Sequence, residues 1–369
     1  MHIMLNWYLL YFLIFLAGMV AALVLTPCFR KLAIRCDLMD RPRSERHKGH
    51  GNATPLLGGA ALFAAWLLVL TAAGAGICAG LLPAPFQALL RPHIPGMAAV
   101  TPRLIFVVLG AMLAVLLGLW DDVRSMKAGP KFLGQFAVAL IAVLLGGARF
   151  SLFCPWEWLG TAASIFWYML LMNAINFFDN MDGLAVGTIT IAMVFFAVTG
   201  AINGQYFAAS LAALTAGAGA GFWFYNRPPA LLFMGDSGSL FLGYMAATVS
   251  VFITYFRPEN TSSQLSVLLP LFILAVPLFD TAAVVVIRTL NRKPFWIGDH
   301  NHISHRFVRM GLSRPGAVRM VHLLAVIISL GTLPLLWSDL RTAAVMAGQM
   351  VLLLLFVSVL QFALARRDS

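Results

Sequence analysis

Long apolar segments recur along almost the whole chain, and they constrain its fold more than any other feature. A helix needs roughly 17 to 25 apolar residues to cross a bilayer. Eleven segments of the 369-residue chain meet or approach this requirement: 7–29, 56–82, 104–120, 132–148, 159–178, 184–200, 207–224, 239–256, 265–287, 317–337 and 342–364. Only 11% of the residues are charged, whereas a soluble domain carries about 25%. The sequence therefore predicts an all-α polytopic membrane protein with about 11 transmembrane helices.

The polar segments between these helices are too short to form separate domains. The two longest, residues 30–55 and 288–316, each contain fewer than thirty residues. The first apolar segment is too long for a signal-peptide core and has no basic flank before it, which indicates a retained helix. We therefore expect residues 1–369 to form a single integral membrane domain.

Basic residues predict the orientation of this domain. Loops rich in lysine and arginine stay in the cytoplasm, and alternation along eleven helices places 20 of the 25 basic residues on one side. The N-terminus is then outside and the C-terminus in the cytoplasm. Topology and anionic lipids explain the net charge of +11, so we expect no nucleic acid among the partners.

Five carboxylates, Asp121, Asp122, Asp179, Asp182 and Asp236, lie at the ends of apolar segments. Ionisable groups at membrane depth are costly and mark functional sites. The orientation was derived from basic residues alone, and it places all five carboxylates on the cytoplasmic side. Structural polar groups scattered through a bundle would not sort in this way.

The pair Asp121 and Asp122 closes the third segment. A solvated helix end beside Arg124 is the simpler interpretation. Adjacent carboxylates repel each other, however, and both stay ionised more easily beside a divalent cation or a basic group. Lys127 and Lys131 in the next loop can supply positive charge or bind a phosphate.

Polar residues recur at every third position where the fifth segment ends, at Asn173, Asn176, Asp179 and Asp182. Neighbours at this spacing share a helix face, and Gly183 can end the helix in a left-handed conformation. Hydrogen bonding between helices is the alternative role for the asparagines. The density of polar groups favours a functional wall.

The segment between the seventh and eighth helices combines Asn226 and Phe233 with a glycine-rich run around Asp236. Glycines allow a backbone to approach a phosphate closely, and a carboxylate is a hard oxygen ligand suited to Mg²⁺. This segment therefore predicts a phosphate or cation site.

A basic loop after the ninth segment contains His300, His302, His305 and Arg306. Three histidines can bind a metal ion or donate hydrogen bonds to a phosphate. Zinc takes three or four well-spaced ligands, and Arg306 favours an anion, so we expect phosphate contact. Asp280 lies within the ninth segment, where a role in tuning the site and a role in packing both stay open.

The first cytoplasmic loop ends in Thr54 and Pro55, followed by Gly58 and Gly59 at a helix entrance. The basic residues of this loop fit a positive-inside anchor. A Thr-Pro turn with two glycines before a helix suits an anion site.

Together these motifs predict a cytoplasm-facing basin with Mg²⁺ ligands and phosphate donors, open to lipid. Such a basin suits phosphoryl transfer between a soluble nucleotide and a lipid phosphate. In this combination and order the motifs resemble the polyprenyl-phosphate N-acetylhexosamine-1-phosphate transferases, which start lipid-linked intermediates of cell-envelope glycans. The resemblance runs from Thr54 to the histidine loop and covers most of the chain.

The resemblance implies a role for each residue. Asp236, with Asp122, would hold Mg²⁺, for which Mn²⁺ can substitute, and Asp121 or Asp122 would face undecaprenyl (polyprenyl) phosphate. The catalytic group would be Asp121, Asp122, Lys131, His302 and His305. The residues that bind substrate would be Thr54, Asn173, Asn176, Asp179, Asp182, Asn226, Phe233, His300 and Arg306. The implied reaction is attack of the lipid phosphate on a UDP-sugar with release of UMP, either directly or through a covalent intermediate.

Two positions depart from the family pattern. Asn180 stands where the family commonly has glycine, and Ser304 replaces one histidine of the His-Ile-His-His pattern of N-acetylglucosamine-type enzymes. We therefore expect a UDP-N-acetylhexosamine donor, most simply UDP-N-acetylglucosamine. Three alternative functions stay open: a phospho-N-acetylmuramoyl-pentapeptide transferase, a lipid or nucleotide-sugar transporter, and a relative that binds without catalysis. The protein could also form a homodimer.

Overall fold

The computed structural model describes residues 2–41, 53–150, 156–256, 263–292 and 302–365, and these residues are predominantly helical. In chain order the elements are α1 (His2–Arg35), β1 (Met39–Asp40), β2 (Thr54–Pro55), α2 (Gly58–Cys78), α3 (Ala84–Leu90), α4 (Ile94–Arg124), α5 (Ala128–Leu140), α6 (Glu157–Phe178), α7 (Leu184–Ile202), α8 (Tyr206–Asn226), α9 (Gly235–Phe252), α10 (Leu269–Ile273), α11 (Ala275–Leu290), α12 (Ile303–Arg309), α13 (Arg314–Thr332) and α14 (Leu340–Ala365). The predicted helical membrane architecture is confirmed.

The number of spans is close to the prediction. Within the described residues, nine helices are long and apolar enough to cross a membrane, or ten if one bent pair counts as a single span. The eighth predicted segment corresponds to α9, whose first turn contains Gly235, Asp236 and Ser237 and is more polar than a lipid-facing helix. The total of eleven stays a prediction.

Helix α9 is the central helix of the bundle. Its residues from Ser237 to Ser250 are all buried, and α2, α4, α6, α7 and α8 pack around it. A helix enclosed by other helices does not need a lipid-facing apolar surface, which explains why α9 tolerates polar residues. Several helices therefore hold the N-terminal residues of α9 in place.

The ninth predicted segment is broken instead of forming one straight helix. Residues Gln264–Ile273 and Ala275–Leu290 meet at a bend of 72°. Pro277 lies in the first turn of α11, where it has no N–H for the carbonyl group of Ile273 and its ring crowds that group. The chain therefore ends one helix at Ile273 and begins another.

The segment between α1 and α2 is joined to the segment that precedes α9. Strands β1 and β2 pair antiparallel, and the backbone N–H of Phe233 donates to the carbonyl oxygen of Pro55 at 2.9 Å. The N–H of Gly58 in turn donates to the carbonyl oxygen of Phe233 at 3.0 Å. The predicted anion-binding turn is thus hydrogen-bonded to the segment that leads into α9.

Glycines allow α2 and α4 to pack closely against the start of α9. A Cβ atom on Gly59 would lie 2.0 Å from the backbone nitrogen of Gly238, and one on Gly118 would lie 2.4 Å from the carbonyl oxygen of Asp236. Both neighbours are backbone atoms, which cannot rotate away. Only glycine permits this close packing.

Gly118→Ala is expected to destabilise the protein, because the added methyl group has to displace the backbone of α9. Overpacking of this kind costs about 1–3 kcal/mol, and the melting temperature in detergent should fall. Gly74→Ala is the matched control, since a Cβ atom there meets nothing within 4 Å. Equal melting temperatures for the two variants would contradict this packing.

Candidate active site at one end of the bundle

The Asp122 carboxylate caps the N-terminus of α9. The backbone N–H of Asp236 donates to Asp122 Oδ1 at 2.7 Å, and the N–H of Ser237 donates to Asp122 Oδ2 at 3.1 Å. A carboxylate at a helix N-terminus satisfies free N–H groups and interacts favourably with the helix dipole. Asp122 therefore fixes the end of α4 against the start of α9.

Lys131 lies at the centre of the polar cluster. Its ammonium group contacts Asp236 Oδ2 and lies 2.8 Å from Asp121 Oδ2. Asn176 completes the arrangement, because its Nδ2 donates to Asp236 Oδ1 and to Ser239 Oγ, each at 2.9 Å. Four segments thus meet at one charged centre. The sequence analysis had placed their motifs on the same side of the membrane.

The loop between α6 and α7 carries the remaining carboxylates. Gly183 adopts the expected left-handed conformation, with φ of 73°, although α6 already ends at Phe178. Asn226 Oδ1 accepts from the N–H of Gly183 at 3.0 Å, and Asp182 Oδ2 accepts from the N–H of Ala230 at 3.0 Å. These bonds hold the loop against the segment before α9.

Asp179 faces the other carboxylates of the site. Burial, and after it the negative charges of Asp236, Asp122 and Asp182, raise the pKa of Asp179 to about 8. The site thus holds five carboxylates beside the ammonium group of Lys131.

The donor chemistry of the cluster fits a divalent cation with oxygen ligands. Carboxylate oxygens are the ligands that Mg²⁺ prefers, and the excess negative charge around Asp179 would be relieved by a cation. In the part of the chain that the structure describes, no three His, Cys, Asp or Glu side chains form a preassembled metal cage. Lys131 lies between Asp121 and Asp236 and bridges them instead.

Asp280 of α11 orients His302, the residue that precedes α12. His302 Nδ1 lies 2.6 Å from Asp280 Oδ2, and the N–H of Ile303 donates to Asp280 Oδ1 at 2.6 Å. Because a carboxylate only accepts hydrogen bonds, Nδ1 carries the proton, which leaves Nε2 as the acceptor in the neutral ring. These contacts fit the tuning role and the packing role of Asp280 equally, so both predictions stand.

The rest of the histidine segment lies close by. The ring centre of His305 is 6.4 Å from that of His302, and Arg306 Nη2 is 3.8 Å from Asp280 Oδ1. Both His302 and Arg306 are buried. His300 lies outside the described residues, so its predicted role stays untested.

Several predicted substrate-binding residues make contacts within the protein in this structure. Asn173 Nδ2 donates to Gln135 Oε1 at 2.7 Å, and Asn226 Nδ2 donates to the carbonyl oxygen of Leu232 at 3.0 Å. Thr54 is buried in β2, and Phe233 engages the first loop through its backbone. The sequence analysis did not single out Gln135, although a polar residue inside an apolar segment was a signal for it.

Comparison with known proteins decides the family. Residues 104–254 match the model of glycosyl transferase family 4. A probable undecaprenyl-phosphate N-acetylglucosaminyl 1-phosphate transferase of Bacillus subtilis (strain 168) is 32% identical over 332 residues, which cover 87% of this chain and 84% of the relative. The chain belongs to glycosyl transferase family 4.

Two further relatives carry different enzyme names. Decaprenyl-phosphate N-acetylglucosaminephosphotransferase of Mycobacterium tuberculosis (strain ATCC 25618 / H37Rv) is 32% identical over 364 residues, covering 91% of this chain and 86% of the relative. Phospho-N-acetylmuramoyl-pentapeptide-transferase of Limosilactobacillus fermentum (strain NBRC 3956 / LMG 18251) is 34% identical over 160 residues, covering 39% and 50%. The resemblance inferred from the motifs is thereby confirmed.

The two departures from the pattern of family 4 lie in contact. The Ser304 hydroxyl group donates to Asn180 Oδ1 at 2.6 Å, although the residues are 124 positions apart in the chain. The sequence indicated each departure separately, but only the fold shows that they form a pair.

The raised pKa of Asp179 predicts a pH-dependent stability. Between about pH 4 and pH 8, Asp179 is protonated in the folded protein and ionised in the unfolded chain. The folded state then binds more protons, so stability of the metal-free protein falls as pH rises through this window. Asp179→Asn should remove this contribution, as measured by melting temperature in detergent and EDTA from pH 5 to pH 8.

Asp339→Asn is the control for this measurement. Backbone and side-chain hydrogen bonds from Thr342 lower the pKa of the exposed Asp339, so its charge is the same in both states across that range. Its pH profile should parallel that of the native protein. A parallel profile for Asp179→Asn as well would contradict the raised pKa.

Proposed function

We propose that this chain transfers N-acetylglucosamine 1-phosphate from UDP-N-acetylglucosamine to undecaprenyl (polyprenyl) phosphate and releases UMP. The observation that carries the proposal is the contact of Lys131 with Asp121, Asp236 and Asn176 at one end of an apolar bundle. The names of the relatives from Bacillus subtilis and Mycobacterium tuberculosis, which match along most of their length, support the donor and the acceptor. The product would be the first lipid-linked intermediate of a cell-envelope glycan.

The site would face the cytoplasm at the inner membrane. The distribution of lysine and arginine supports an external N-terminus and a cytoplasmic C-terminus. A water-soluble nucleotide sugar then reaches the site from the cytoplasm, while the lipid phosphate reaches it from the bilayer. The position of the cluster at helix ends suits a reaction between these two substrates.

The proposed chemistry is one phosphoryl transfer. An oxygen of the lipid phosphate forms a bond to the β-phosphorus of the donor, the bond from that phosphorus to the bridging oxygen breaks, and UMP leaves with the electron pair. A phosphate monoester has a second pKa near 6 and is mostly ionised at pH 7. Asp121 therefore does not need to remove a proton, and we assign it to holding Lys131.

The residues of the cluster would neutralise and orient the two phosphate groups. Lys131 and Arg306 supply positive charge, and His302 and His305 supply hydrogen-bonding nitrogens beside it. Asp236, with Asp122 as a second ligand through its remaining lone pairs, would hold Mg²⁺ or Mn²⁺, which when bound offsets charge on the pyrophosphate. Asp179, Asp182 and Asn176 would line the nucleotide-sugar side.

A phospho-N-acetylmuramoyl-pentapeptide transferase is the second candidate. The relative from Limosilactobacillus fermentum carries that name and is 34% identical over 160 residues. The first candidate is preferred because relatives named for N-acetylglucosamine transfer match over 87–91% of this chain. A transporter is disfavoured, since transporters place their polar sites near the membrane midplane.

UMP release tests the proposal directly. The purified protein in detergent receives undecaprenyl phosphate with either UDP-N-acetylglucosamine or UDP-N-acetylmuramoyl-pentapeptide, with and without Mg²⁺. We expect Mg²⁺-dependent UMP from the first donor, lost in Asp236→Asn and retained in Asp339→Asn. UMP from the second donor alone would assign the chain to the second candidate, and no UMP from either would contradict phosphotransfer with both.

Asp280→Asn should lower kcat, because an amide nitrogen replaces one of the two oxygens that accept the His302 and Ile303 hydrogen bonds. Misplacement of a catalytic group by about 1 Å can cost about 100-fold. Steady-state kinetics with both substrates varied measures the effect against Asp339→Asn. An unchanged kcat would show that His302 does not depend on Asp280.

A further inference from the structure

One hydrogen bond joins the histidine segment to the loop that carries Asp179 and Asp182. The Ser304 hydroxyl group is fully buried and donates to Asn180 Oδ1 at 2.6 Å. The other end of the Asn180 amide donates to the carbonyl oxygen of Phe177 at 3.3 Å. Asn180 therefore connects the C-terminal end of α6 to α12.

The neighbours of this bond are the polar residues of the site. Asn180 directly follows Asp179, and Ser304 lies between Ile303 and His305. Next to Ser304, Asp280 accepts the N–H of Ile303, and Gln361 Nε2 donates to the Ile303 carbonyl oxygen at 3.3 Å. The start of α12 is thus held by α11, by α14 and by Asn180.

We propose that Asn180 and Ser304 are a positioning pair that determines the affinity for the nucleoside diphosphate sugar. This inference rests on the proposed function. A pyrophosphate bound between the Asp179 loop and α12 has to be contacted from both sides at once, and a displacement near 1 Å between such groups weakens binding strongly. The pair sets that separation without touching the reacting atoms.

The pair is neutral, which separates its effect from that of the histidines. Neither side chain titrates between pH 6 and pH 9, so the hydrogen bond itself does not depend on pH in that range. The acceptor is assigned to Asp121 or Asp122, which contact Lys131 and the start of α9. The KM for the acceptor should therefore change little, and kcat should change little because Asp280 still orients His302 in these variants.

A double-mutant cycle tests the pair in the full-length protein. Ser304→Ala and Asn180→Ala should each raise KM for UDP-N-acetylglucosamine about tenfold, with kcat within about twofold of the native value. The double variant should be no worse than either single variant, because each single substitution already removes the bond. Multiplied losses in the double variant, or a fall in kcat with unchanged KM, would overturn the proposal.

Ser266→Ala is the matched control for loss of a buried hydroxyl group. Ser266 is fully buried and donates to the carbonyl oxygen of Ser263 at 3.0 Å, beyond the end of α9 opposite the site. Its substitution should leave KM for the donor unchanged. A KM rise equal to that of Ser304→Ala would assign the effect to general destabilisation.

Hydrogen exchange provides a second readout that needs no substrate. Ser304→Ala and Asn180→Ala should each increase amide exchange in residues 303–309 to the same extent, and the double variant should match them. Unchanged exchange in both would overturn the positioning role. An inactive native protein would instead count against the proposed function, while the exchange measurement still tests whether the bond holds α12.

Discussion

The capping of α9 by the Asp122 carboxylate is the contact on which the rest of the site depends. Asp122 accepts the N–H groups of Asp236 and Ser237, and Gly118 one turn earlier lets α4 approach close enough for this contact. Together they fix where Asp236 begins the central helix. Because α9 is buried on all sides, Lys131 and Asn176 then meet Asp236 in a defined geometry.

Charge imbalance is the second organising property of the site. Asp121 and Asp236 share Lys131, while burial and the neighbouring carboxylates raise the pKa of Asp179 to about 8. Such a cluster at the end of apolar helices costs folding stability. The proposed binding of a divalent cation and of substrate phosphates would account for this cost.

The sequence predicted the helical membrane fold and the meeting of the motifs, because apolar length and the side of each carboxylate depend on residue type and order alone. It did not predict that both Asp122 oxygens cap a helix, or that Asn226 holds a loop through hydrogen bonds. Residue type alone does not show which polar atoms form hydrogen bonds within the protein. The Asn180–Ser304 contact was equally hidden. The break before α11 was missed although Pro277 was its signal.

Cation binding is the most direct test of a metal site at Asp236. Mn²⁺ is added to the purified protein with UMP, and its electron paramagnetic resonance signal separates free from bound ion. We expect one bound Mn²⁺ per chain, lost in Asp236→Asn and retained in Asp339→Asn. Absence of binding to the native protein, or equal binding by Asp236→Asn, would contradict an active site built around Asp236.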